Sequence, residues 1–117
     1  PMRVYLEFDL GGPISVGRGS YVSEALRQLG LINVLAHHPQ SYFTPDLEEV
    51  LQLEPELIIY EPKPHRMRQA ERARALMQSR GWTQPLVVNE GDQLAHYGPL
   101  FFEYLEGLER QIEQLES

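Results

Sequence analysis

Residues 44–61 read TPDLEEVLQLEPELIIYE, and this stretch sets out half of an α/β repeat. Asp46 stands where a helix N-cap belongs, and Glu49, three residues on, is placed to reach back to it in the reciprocal pattern of a capping box. Val50, Leu51 and Leu53 give the short helix an apolar side. Pro55 forbids its continuation, because proline has no N–H to donate and its ring collides with the preceding turn. Leu57-Ile58-Ile59-Tyr60 is then an apolar run of strand length, rich in strand formers.

Working outward, Arg3–Phe8 is a β-prone run stopped by the loop Asp9-Leu10-Gly11-Gly12-Pro13. Ser20 is a cap for a helix whose Val22, Ala25, Leu26 and Leu29 recur at helical spacing until Gly30. Ile32–Leu35 reads as a short strand or an extended connection, and His37–Pro45 as a loop carrying Tyr42 and Phe43. Past Pro62 and Pro64 a helix is expected over about 65–79, ended by Gly81. A buried strand follows at Pro85–Asn89, then a turn at Glu90–Asp92 and a short strand at Gln93–Ala95. Phe101, Tyr104, Leu105, Leu108, Ile112 and Leu115 mark a last amphipathic helix beginning near Pro99. Strands alternating with helices predict one α/β domain over 1–117: a three-layer sandwich with a mostly parallel central sheet, a Rossmann-like single lobe.

Bulk properties narrow the function classes. The 117 residues carry a formal charge of −7, which disfavours a general nucleic-acid binder or adhesion to anionic lipid. The absence of cysteine excludes disulfides, thiolate zinc sites and a Cys nucleophile. No apolar run approaches a membrane span and no signal-peptide pattern opens the chain. Opening on Pro1-Met2-Arg3 and entering a strand at once, the chain is expected to be a piece of a longer protein.

Four sets of residues could carry chemistry. Gly12-Pro13-Ile14-Ser15-Val16-Gly17-Arg18-Gly19 has the glycine spacing of a phosphate loop, but Arg18 replaces the lysine and Gly19 the Ser/Thr. Val22 stands where a dinucleotide fingerprint needs its third glycine. A flexible strand-to-helix loop with a ligand-facing tip is expected there instead, with a small nucleotide-binding or enzymatic domain as the rival. His37, His38, His65 and His96 fall in loops or at helix ends and would serve a metal-ion receptor, though none shows a metal-binding helical spacing. Ser20, His96 and Asp92 could form a triad on paper, but no nucleophile elbow surrounds Ser20. Tyr21, Tyr42, Phe43 and Tyr97 each sit at a predicted strand-to-helix junction, the edge where open α/β sheets bind ligands. The basic residues around 63–80 and the acidic last helix read as solvated helix faces.

The order of these segments resembles one family. GRGSYVSEALRQLGLINVLA, a loop leading into YFTPDLEEVLQLEPELIIY, and then GWTQPLVVNEGDQLAHYGP before a final helix are similar to the C-terminal lobe of class III substrate-binding proteins. These serve ABC importers of cobalamin, haem and ferric siderophores. The resemblance implies a non-enzymatic, extracytoplasmic binding protein with no cofactor, no resident metal and no nucleic-acid partner. It assigns the ligand cleft to Tyr21, Tyr42, Phe43, His96 and Tyr97, and the docking contact with arginines of the membrane permease to Glu48. It also implies an N-terminal lobe absent from this stretch. Half a cleft cannot enclose a ligand, so this chain alone is expected to bind weakly or not at all.

Overall fold

The computed structural model describes residues 2–62, 69–88 and 110. Its elements, in chain order, are β1 (Met2–Asp9), β2 (Pro13–Val16), α1 (Tyr21–Gln28), β3 (Leu31–Asn33), β4 (Tyr42–Phe43), α2 (Leu47–Gln52), β5 (Leu57–Glu61), α3 (Gln69–Ser79) and β6 (Leu86–Val88). The strands lie in the order β4-β2-β1-β5-β6, with β3 beside the first half of β1. β1 pairs in parallel with β3 and β5, and β5 with β6, whereas β2 runs antiparallel to both β1 and β4. The α/β lobe with a mostly parallel sheet is therefore borne out.

Successive side chains of a strand point to opposite faces, and here both faces are covered. Val4, Leu6 and Phe8 of β1 join Leu57 and Ile59 of β5 and Val22, Ala25 and Leu26 of α1 in one core. Tyr5, Ile58 and Tyr60 pack on the other side against Val50 of α2 and Ala73 and Met77 of α3. Each fully buried Leu, Ile or Phe contributes roughly 1.5–3 kcal/mol, so the short strands are held by two layers rather than by their own pairing.

The helix signals are realised. Ser20 caps α1, its Oγ accepting from the N–H groups of Val22 and Ser23 at 3.1 and 3.3 Å. Asp46 caps α2 in the same way, accepting from Glu48 and Glu49 N–H. Glu49 does not complete the box: its Oε1 lies 3.4 Å from His37 Nε2 instead. Gly30 and Gly81 end α1 and α3 with φ of +77° and +76°, the left-handed conformation that glycine adopts without strain.

Two segments differ from expectation. The flexible loop expected between β1 and α1 is largely strand, because Pro13 and Ile14 pair with β1 while Ser15 and Val16 pair with β4. The expected loop His37–Pro45 likewise contains β4. Ile32–Leu35 resolves into β3 followed by a turn. The start of the helix expected over 65–79, and the expected elements beyond Val88, lie outside the described residues.

Candidate functional site

Phe8, the last inward-facing residue of β1, meets the ring of Tyr42 edge-on, with centroids 6.2 Å apart and planes at 71°. Around this pair Leu10, Ile14, Phe43 and Thr44 complete an open groove of about 430 Å³. It lies at the carboxyl end of β1, where open α/β sheets take their ligands. Its lining is apolar and aromatic with hydroxyls from Tyr42 and Thr44, and among the described residues none that lines it is charged.

Three devices hold Tyr42, which is half exposed, in place. β4 pairs with β2, setting Tyr42 opposite Val16 and Phe43 opposite Ser15. The Phe43 ring stacks flat on His38, with centroids 3.6 Å apart. The turn preceding β4 is strapped to Gly17 and Arg18, whose N–H groups donate to Ser41 O and His38 O at 3.0 and 2.8 Å. Gly17 is needed for this approach, since a Cβ there would come within 2.8 Å of His38 O and closer still to Gln40 O. Those two N–H groups are thus spent within the protein, and the backbone at Gly17-Arg18 is unlike a phosphate cradle.

The other expected site residues are dispersed. Tyr21, the first residue of α1, lines a second groove of about 610 Å³ with Arg18, Glu24, Arg27 and Ile32, not the groove of Tyr42. Glu48 is exposed in the first turn of α2, its backbone N–H donating to Asp46. Glu24 and Arg27 form a solvated pair across one turn at 2.6 Å; bonding to Arg27 holds the Glu24 carboxyl below its usual range. His96 and Tyr97 lie outside the described residues, as do His65 and Asp92.

Among the described residues no group of three His, Cys, Asp or Glu could hold a metal. Adjacent His37 and His38 diverge, one to Glu49 and one to Phe43. Ser20 is buried and its Oγ serves α1 as the cap, an unsuitable setting for a nucleophile. Buried Asn33 ties three elements together, its Nδ2 donating to Val16 O at 2.8 Å and Ser23 Oγ at 3.3 Å while its Oδ1 accepts from Leu35 N–H.

Leu10 and Ile14 are groove residues that the reading from sequence passed over. A Gly-containing break between two β-prone runs is a hairpin signal. Here it was hidden behind the phosphate-loop spacing of the same glycines.

A family model described as periplasmic binding protein matches residues 1–91. No curated protein sequence matches the chain. Among solved structures it is similar to a periplasmic binding protein from Veillonella parvula (TM-score 0.72, 16% identity, 95% of this chain and 42% of that one). It is similar to the periplasmic vitamin B12 binding protein of Vibrio cholerae (TM-score 0.66, 20% identity, 97% and 46%). A third is an ABC-type Fe3+-hydroxamate transport system protein from Saccharomonospora viridis (TM-score 0.59, 24% identity, 98% and 42%). At these identities the likeness speaks for the fold, and the chain spans less than half the length of each.

Proposed function

Because the chain belongs to the periplasmic binding protein family, we propose that it is the C-terminal lobe of an extracytoplasmic, non-enzymatic solute-binding protein. It would serve an ABC importer of a corrinoid, haem or ferric-siderophore type of ligand. The observation that carries this reading is the half-exposed Tyr42 over a groove at the carboxyl end of β1 that no described charged residue lines. A volume of about 430 Å³ falls within the range of small-molecule sites. The groove is open, so a second lobe, the expected N-terminal one, would close it. The ligands of two structural neighbours, vitamin B12 and Fe3+-hydroxamate, agree with this class.

Permease docking falls to Glu48. An exposed carboxylate in a first helical turn can make charge-assisted hydrogen bonds to arginine without disturbing the groove. Its position also favours the α2 dipole, a role that would be felt in stability rather than in transport.

The test uses the full-length protein containing this chain, titrated with cyanocobalamin, haemin and a ferric trihydroxamate. Saturable heat or a spectral change with at least one is expected, and Tyr42→Ala should weaken that binding by about tenfold or more, as loss of an aromatic anchor does. Silence with all three probes would sink the ligand assignment. Glu48→Ala should lower transport while leaving ligand affinity unchanged. Undiminished transport would remove the docking role.

A further inference from the structure

Leu10 is 58% exposed, more than any other large apolar side chain among the described residues. A lone exposed leucine would need no explanation. This one continues an apolar surface, because Phe8, Ile14 and Tyr42 stand beside it in the same groove. Its placement is also built rather than loose. Asp9 Oδ1 accepts from Gly11 N–H at 2.9 Å, and Leu10 N–H donates to Gly12 O at 3.2 Å. Gly11 supplies the φ of +100° that the reversal requires. The β1–β2 register, Phe8 opposite Ile14 and Asp9 opposite Pro13, fixes the strand ends that carry the tip, and Phe8, Leu10 and Ile14 line the same groove.

The second groove shows what this wall lacks. Arg18, Glu24 and Arg27 rim that one, whereas among the described residues nothing charged lines the groove of Leu10. An ionised group pressed against an uncharged wall loses its hydration without compensation, while flat apolar surface gains by contact.

Building on the solute-binding function proposed above, we infer that Leu10 is a specificity-determining contact and that the ligand seats a flat, uncharged macrocycle face on this wall. A corrin or porphyrin ring has that chemistry, and an anionic catecholate chelate does not. Leu10 and Ile14 would meet the ring's aliphatic periphery, and Tyr42 would meet its face.

The experiment measures equilibrium binding of cyanocobalamin, haemin, a ferric trihydroxamate and a ferric tris-catecholate to full-length protein carrying Leu10, Leu10→Asp or Leu10→Met. Expected is a preference for one of the two macrocycles. Leu10→Asp should weaken it by at least about tenfold and Leu10→Met should retain it, since only the first desolvates a charge. Because Leu10 is exposed, both variants should melt as the parent does, and a melt by circular dichroism checks this. Preference for either siderophore chelate, or equal macrocycle affinity in Leu10→Asp, would overturn the inference and leave the solute-binding function standing. Binding of none of the four would overturn that function as well.

Discussion

Glu7 and Phe8 are consecutive residues of β1, each no more than 1% exposed, and they show two opposite uses of one strand. On the side of Glu7 the polar groups close on one another. Arg80, just past α3, donates from Nη1 and Nη2 to the two carboxylate oxygens at 2.9 and 3.0 Å. Tyr5 donates its phenolic O–H to Glu7 Oε1 at 2.6 Å. Trp82 meets Tyr5 edge-on at 5.5 Å and lies 4.8 Å beneath the Arg80 guanidinium. On the side of Phe8 the packing stops at Tyr42 and Leu10, which leave apolar surface to solvent. A region that satisfies its own groups contributes stability. A region that stops short has something to offer a ligand.

The sharpest way to break this contrast is to break the pair. Glu7→Ala leaves Arg80 buried without its counter-ion and should cost about 3–5 kcal/mol in urea denaturation, the usual penalty for half of a buried ion pair. Ligand affinity of the molecules that remain folded should not change. A loss under about 1 kcal/mol would mean that the cluster is not a stability element. Tyr5 adds a pH signature. Burial first, and then the charge of Glu7, push its phenol far above the ordinary value of 10.0. The folded state therefore keeps the proton that the unfolded chain gives up. The resulting stability is complete below pH 10 and falls as pH rises beyond it, and Tyr5→Phe should remove that alkaline slope.

A second change would connect the two regions. Gly17→Ala should cost about 1–3 kcal/mol, typical of overpacking, because the new Cβ runs into backbone carbonyls. It should also weaken ligand binding, since the strapped turn it displaces leads into Tyr42. Lost stability with unaltered affinity would separate the groove from the strap.

What was legible in the sequence follows the same division. The strands and helices of the two cores were readable because buried runs, caps and stop residues act locally: Ser20, Asp46, Gly30 and Pro55 each do what their chemistry requires. The antiparallel β2 and the two-residue β4 were not, because each is defined by a partner distant in sequence. Ser15 reads as loop until Phe43 is known to face it. Tyr42 and Phe43 line one groove and Tyr21 lines another with Arg18 and Arg27, and spacing along the chain carries no sign of that division. The cluster of Tyr5, Glu7, Arg80 and Trp82 escaped notice for the same reason, as Glu7 and Arg80 are joined only through the fold.

The smallest expected effect compares two side-chain pairs. Glu49 and His37 stand 3.4 Å apart, but their side chains are 43% and 58% exposed, where those of Glu7 and Arg80 are 1% and 12%. Water screens the first pair and not the second, so His37→Ala should change stability by less than about 0.5 kcal/mol. Removing His37 also frees Glu49 to turn back toward Asp46 N–H and close the capping box that its position suggests, which would offset part of even that loss. The turn before β4 should stay in place, because Gly17 N–H and Arg18 N–H hold its backbone without help from the imidazole. Denaturation of His37→Ala beside Glu7→Ala measures the difference directly. A loss above about 1 kcal/mol would show that the turn depends on this side-chain pair rather than on its backbone strap.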